Sequence, residues 1–139
     1  MNTLPLDENA VVLAIGKHLM LSGYEIKQQL STTEHGIDVI AEHPDLKVRV
    51  LVEAKGGTSS LLGSKRYGKP YTQNQVFDRV AKGIFTCLQL RTEYPDKHMV
   101  RVILAIPEKP SHFKKYVASV ASSLEPAGIE VWFAQDGLL

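Results

Sequence analysis

Asp38 stands alone in Gly36-Ile37-Asp38-Val39-Ile40, and Glu53 and Lys55 stand two apart in Val50-Leu51-Val52-Glu53-Ala54-Lys55-Gly56. Short runs rich in Val and Ile, bounded by turn residues, read as strands. Taking a charge out of water is costly unless it is paired or bound, so three charges set into core-type strands need a chemical role. Side chains alternate along a strand, which puts Glu53 and Lys55 on one face and Val48, Val50, Val52 and Ala54 on the other. The stretch from Glu42 to Lys47 is polar and contains Pro44, which suits a hairpin connection. Antiparallel pairing through that turn brings Asp38 near Glu53. Two converging carboxylates repel each other, and a hard divalent cation with oxygen ligands relieves the conflict. The expected chemistry is therefore a metal site with a lysine beside it. In the competing reading, Arg49, Leu51, Glu53 and Lys55 are the mixed outer face of a half-exposed strand carrying an ion pair.

The elements that must hold these residues can be read along the chain. Asp7 to Leu21 is a helix with Asp7 as N-cap, an apolar stripe of Val12, Ile15 and Leu19, and Ser22-Gly23 at its end. Tyr24 to Leu30 is a first strand, and Ser31 to Gly36 a turn before the two motif strands. A long loop rich in Gly, Ser, Lys, Arg and Tyr follows, from Gly56 to Tyr71. Thr72 with Gln75 three residues on marks a capping box for a helix from about Gln73 to Leu90. Met99 to Ile106 is an almost unbroken apolar run, the pattern of a central buried strand. Ser111 to Leu124 reads as a helix and Ile129 to Ala134 as a peripheral strand. The pattern predicts a single domain, residues 1–139, with a three-layer α/β arrangement in the order α-β-β-β-α-β-α-β.

With 139 residues, 44% hydrophobic and 22% charged, the chain is long enough for a real core. No stretch reaches the length of a membrane span and the first residues lack signal-peptide character, so no membrane partner is expected. Cys87 is the single cysteine; it excludes an internal disulfide and a cysteine zinc cluster, and reads as a reduced core residue in a cytoplasmic protein. The five histidines, His18, His35, His43, His98 and His112, have no metal-ligand spacing, and Trp132 reads as packing. A net charge of +1 neither argues for nor excludes a nucleic-acid partner. Distribution says more: from Gly56 to Phe77 there is no acid, while Lys65, Arg66 and Lys69 are present, enough for a local phosphate-binding patch. Tyr67 and Tyr71 beside them are suited to sugar-phosphate contact or base stacking.

An acid followed by Glu-x-Lys on the next strand resembles the PD-(D/E)xK nuclease superfamily, the group of many restriction endonucleases and of archaeal-type Holliday-junction resolvases. Gly36-Ile37-Asp38-Val39-Ile40-Ala41 is similar to the corresponding strand of Mrr-type restriction enzymes. The resemblance runs from Asp7 to about Ile106. Ile37 stands where the motif's proline would be, and Mrr-type enzymes usually carry Gln where this chain has Glu53. The resemblance implies a restriction-endonuclease-like core with a mixed central sheet flanked by helices. It also implies Mg²⁺, with Mn²⁺ as substitute, held by Asp38, Glu53 and the backbone carbonyl of Ala54. Lys55 would orient or deprotonate the attacking water, and DNA cleavage would leave a 5′-phosphate and a 3′-hydroxyl. Relatives often carry a metal-ligating or water-holding glutamate on the first helix, which makes Glu8 a candidate, against an ordinary acid favoured at a helix N-terminus. Many also carry a glutamine on the helix after the loop, which nominates Gln75 for the site, against its capping role. Asp78, Arg79 and Lys82 follow at helical spacing; Lys82 is a candidate phosphate contact or a solvated lysine. A homodimer or a partner subunit stays open. So do two rivals, a nucleic-acid-binding module with an idle site and a protein-interaction domain.

Overall fold

Asp7 opens the first helix with extended backbone (φ −80°, ψ 174°), and its carboxylate accepts the Ala10 N–H at 2.9 Å. That bond satisfies one of the donors a helix start leaves orphaned. The helix, α1 (Glu8–Leu21), buries Val11, Val12, Ile15 and Leu19 and ends at Ser22. Gly23 follows in the left-handed region at φ 93°. The computed structural model describes residues 5–31, 34–59 and 69–135. After α1 come β1 (Glu25–Gln29), β2 (Val39–His43) and β3 (Val48–Ala54), then α2 (Gln73–Glu93) and β4 (Val100–Pro107). The short helices α3 (His112–Ala118) and α4 (Ala121–Leu124) lead to β5 (Ile129–Ala134).

The strands form one sheet in the order β1-β2-β3-β4-β5. β1, β2 and β3 pair antiparallel, whereas β3–β4 and β4–β5 are parallel. The chain is thus an α/β fold with a mixed five-stranded sheet. The hairpin between β2 and β3 turns at Lys47, in the left-handed region at φ 60°, whose N–H reaches the His43 carbonyl at 3.0 Å. His43 Nδ1 accepts the N–H groups of Asp45 and Leu46, so the predicted turn is closed by its own histidine.

Both faces of the sheet are covered. Val39, Ala41, Val50, Val52, Ala54, Ile103 and Ala105 pack with the buried face of α1. Leu51, Val102, Leu104 and Ile106 pack on the other side with Val76, Val80 and Cys87 of α2 and Phe113 of α3. Leu51, at 1% exposure, removes the reading of a mixed, half-exposed outer face. The alternation in β3 marks one apolar face only because acid and lysine interrupt the other.

Several elements depart from their sequence-based positions. β2 begins at Val39, so Asp38 lies one residue ahead of the strand instead of inside it. The run expected from Met99 is interior but sits beside the middle strand, β3, and its N-terminal end is only half-buried. The single helix expected from Ser111 to Leu124 is broken at Ser119 and Val120. The Ser119 hydroxyl donates to the Tyr116 carbonyl at 2.6 Å, a local bond that competes with helix continuation.

Two backbone contacts seat α1 against the end of β3. Gly57 N–H donates to the Leu6 carbonyl at 2.7 Å, and Gly56 lies so close to the Glu8 backbone that a Cβ there would collide with it and stand 2.7 Å from the Asp7 carbonyl carbon. Gly56→Ala is therefore expected to push the start of α1 off the sheet. A loss of about 1–3 kcal/mol in chemical denaturation checks this, on the scale of overpacking a tight contact.

Candidate active site

The register of the hairpin places the two acids. Val39 pairs with Val52, so one step further Asp38 lies opposite Glu53, and residues directly opposed on antiparallel strands share a face. Asp38 is 8% exposed and accepts the Ala54 N–H at 2.8 Å through Oδ2. Its segment is pinned from β1: the Leu30 N–H reaches the Asp38 carbonyl at 2.9 Å, and Gln28 Nε2 donates to the Ile37 carbonyl at 2.7 Å. The Ala54 N–H points at the Asp38 flank, and a strand residue turns its N–H and C=O to the same flank. Its carbonyl oxygen is thus aimed past the last ladder pair toward the same space.

Leu51 faces α2, so Glu53 and Lys55 do too. Gly83 of α2 makes room there: a Cβ on it would stand 2.7 Å from Leu104 Cδ1 and 3.4 Å from Lys55 Cγ. The Lys55 stem therefore crosses α2 at its bare position. Glu8 comes from the start of α1, seated against Gly56, and completes a group of three acids and Lys55 at the carboxyl end of β3.

Charge and burial act together on this group. Burial, a hydrogen bond with Asp38 and the Asp38 charge push the Glu53 carboxyl up to about 8, against the pull of Lys55. Burial, then the charge of Asp38, raises Glu8 as well, opposed by Lys55 and Arg79. Like charges held together cannot both stay ionised cheaply, which with burial favours the protonated form of Glu53. Burial and the Glu53 charge also push Cys87, buried behind the site, up to about 12, so it stays a thiol.

The donor set suits a hard divalent cation: two carboxylates whose repulsion it would relieve, and a carbonyl aimed at the same space. Among the described residues, no three His, Cys, Asp or Glu side chains converge as a metal-holding group. Side chains alone thus supply a pair of ligands here, and Glu8 stands in a supporting position.

The other predicted residues are distributed differently. Gln75 closes the capping box, its Oε1 accepting the Thr72 N–H at 2.8 Å while Thr72 Oγ1 accepts the Gln75 N–H at 3.3 Å. Its carboxamide oxygen is thereby committed to the helix start. Lys82 points to solvent and pairs with Asp78 at 3.0 Å. Lys69 is exposed. Lys65, Arg66 and Tyr67 lie outside the described residues. His35 is exposed, and Trp132 is half-buried, edge-on to His18. The residue that sequence reasoning names without a role is Arg79, half-buried and close enough for its charge to act on Glu8. Its one signal is its position four residues beyond Gln75 on the same helical face.

Comparison with protein-family models, curated proteins and solved structures finds no match to this chain.

The raised Glu53 carboxyl has a defined effect on stability in metal-free buffer. Its ordinary value is 4.5 and its folded value about 8, so between these the folded state holds a proton that the unfolded state has lost. Stability then falls as pH rises through this window. Glu53→Gln keeps the shape and removes the titration. Urea unfolding from pH 4.5 to 8 should show a flatter profile for Glu53→Gln, with a gain on the order of 1 kcal/mol or more at the alkaline end.

Proposed function

We propose that the chain is a metal-dependent nuclease that hydrolyses DNA phosphodiester bonds at the Asp38, Glu53 and Lys55 site, with a restriction-endonuclease-like layout. The observation that carries the reading is the opposition of Asp38 and Glu53 across the hairpin, with Lys55 next along the same face of β3. The layout draws support from the antiparallel β1-β2-β3 unit, the parallel crossovers to β4 and β5, and the position of the acids at the carboxyl end of the middle strand.

Each residue has a role in this reading. Asp38 and Glu53 would hold Mg²⁺ or Mn²⁺, with the Ala54 carbonyl as a further ligand. Bound there, such an ion would supply a water of lowered pKa and offset charge developing on the phosphate. Lys55, its stem fixed over Gly83, directs its ammonium to the space beside both carboxylates. There it orients the attacking water or stabilises the anionic transition state. Glu8 balances the cations from the α1 side. The basic stretch that contains Lys65, Arg66 and Lys69 would supply phosphate contacts to the DNA. Among the described residues no helix is long and apolar enough to cross a membrane. A cytoplasmic setting with a reduced Cys87 suits a DNA substrate, and a second copy or partner subunit would extend the contact surface.

A cleavage screen over linear, nicked and four-way-junction DNA with Mg²⁺ or Mn²⁺ tests the reading. Wild type should cut at least one form. Lys55→Ala should fold and bind metal, because both acids remain, and cut at least about a hundred-fold more slowly. Lys55→Arg should rescue poorly, since a guanidinium stays protonated and is too wide for the lysine's place. A wild type that cuts nothing, or a Lys55→Ala variant that cuts as fast as wild type, leaves a binding module with an idle site as the better account.

A further inference from the structure

We infer that Arg79 is a phosphate-contacting residue, held in position by Tyr71, which engages a DNA phosphate next to the one attacked. This rests on the nuclease reading and extends it to a residue outside the motif.

Geometry places Arg79 at the site. Tyr71 N–H donates to the Gly57 carbonyl at 2.9 Å, and Gly57 N–H in turn donates to the Leu6 carbonyl. Tyr71 is thus tied to the joint where β3 meets the start of α1 and Glu8. The Arg79 guanidinium carbon lies 5.0 Å from the centre of the Tyr71 ring, and Nη2 donates to the Tyr71 hydroxyl at 3.4 Å. One turn further along the same face of α2 is Gly83, over which Lys55 runs. Lys55, from the end of β3, and Arg79, from α2, therefore lie along one face of that helix, Lys55 over Gly83 and Arg79 one turn before it.

The arginines of this chain differ in what their donors reach. Arg91 donates to the carbonyls of Tyr94, Val100 and Gly128, each at 2.9 Å, and ties three segments together. Arg101 forms a bidentate pair with Glu130 and also reaches the Tyr24 hydroxyl. Lys82, on the solvent side of α2, has its acid in Asp78. Among the described residues Arg79 has no ion pair, and its single hydrogen bond is the long one to Tyr71. A guanidinium carries five N–H donors in a planar fork that matches two phosphate oxygens. A half-buried arginine with most of that fork unspent, stacked on a ring and next to a cation-binding carboxylate pair, is suited to an anionic ligand. Once a divalent cation offsets the acids, Lys55 and Arg79 leave a local excess of positive charge that favours a phosphodiester.

DNA binding by the full chain, measured by fluorescence anisotropy in Ca²⁺ over a KCl series, tests this, using the DNA form that wild type cuts in the screen. Arg79→Gln should weaken binding about ten- to a hundred-fold, on the scale of a charge-assisted hydrogen bond. It should also lower the log–log salt slope by about one unit. In cleavage it should raise KM more than it lowers kcat, because the contact is made in ground and transition states alike. Arg79→Lys should keep the slope and recover part of the affinity. Tyr71→Phe, which retains the ring, should leave the slope unchanged. Arg79→Gln with wild-type slope and affinity overturns the inference while the nuclease reading stands. So does a lowered thermal midpoint with an unchanged slope, the mark of a merely structural arginine. A wild type that neither binds nor cuts DNA removes both.

Discussion

The whole site depends on a buried hydrogen bond between the Ala54 N–H and Asp38 Oδ2, 2.8 Å long, at the point where the β2–β3 ladder runs out. A strand end normally releases its last N–H to water. Here a carboxylate takes it, and the same register holds that carboxylate opposite Glu53. Once Asp38 is fixed by this bond and by the Leu30 and Gln28 bonds to its segment, Glu53 cannot move away without breaking the middle strand. The two acids stay together because the backbone requires it, although their charges oppose it. Such built-in repulsion persists where the surrounding structure over-determines it, and a pair held this way suits a cation.

Absent side chains shape the site as much as present ones. Gly56 lets α1 come down on the end of β3, which brings Glu8 within electrostatic reach of Asp38. Gly83 does the same on the opposite layer for Lys55. The site lies where both helical layers meet the carboxyl end of the middle strand, the usual position of ligand crevices in α/β sheets. The opposite end of the sheet is closed by structural polar contacts, with His43 capping the hairpin and Arg91 joining three carbonyls. That separation lets the hairpin end stabilise the register without crowding the acids.

Much of this was legible in the sequence, for reasons specific to each residue. Asp7 and Thr72 are caps whose signal is local, and both helices begin where those residues place them. That Asp38 comes near Glu53 follows from the polar Glu42 to Lys47 turn and strict alternation, both visible in the chain, while their direct opposition comes from the register that pairs Val39 with Val52. The burial of Leu51 was not legible, because Glu53 and Lys55 give its face the look of an outer surface until α2 covers it. Gln75 satisfies two patterns at once, and the structure commits its oxygen to the cap. Arg79 belongs to no motif, and its place depends on tertiary contacts of Tyr71 and Gly57 that no periodicity encodes. The break at Ser119 likewise turns on one hydroxyl bond whose direction the sequence leaves open.

The central claim, that the opposed carboxylates form a cation site, is tested most directly by metal-dependent stability. The thermal midpoint should be followed at neutral pH over a Mg²⁺ or Mn²⁺ series for wild type and Asp38→Asn. A cation that binds only the folded state adds about 2.7 kcal/mol at one hundred times its dissociation constant. The account predicts a midpoint that climbs with metal in wild type. In Asp38→Asn it should stay flat, starting at or above the wild-type value without metal because the repulsion is gone. An equal rise in both proteins, or none in either, would contradict it.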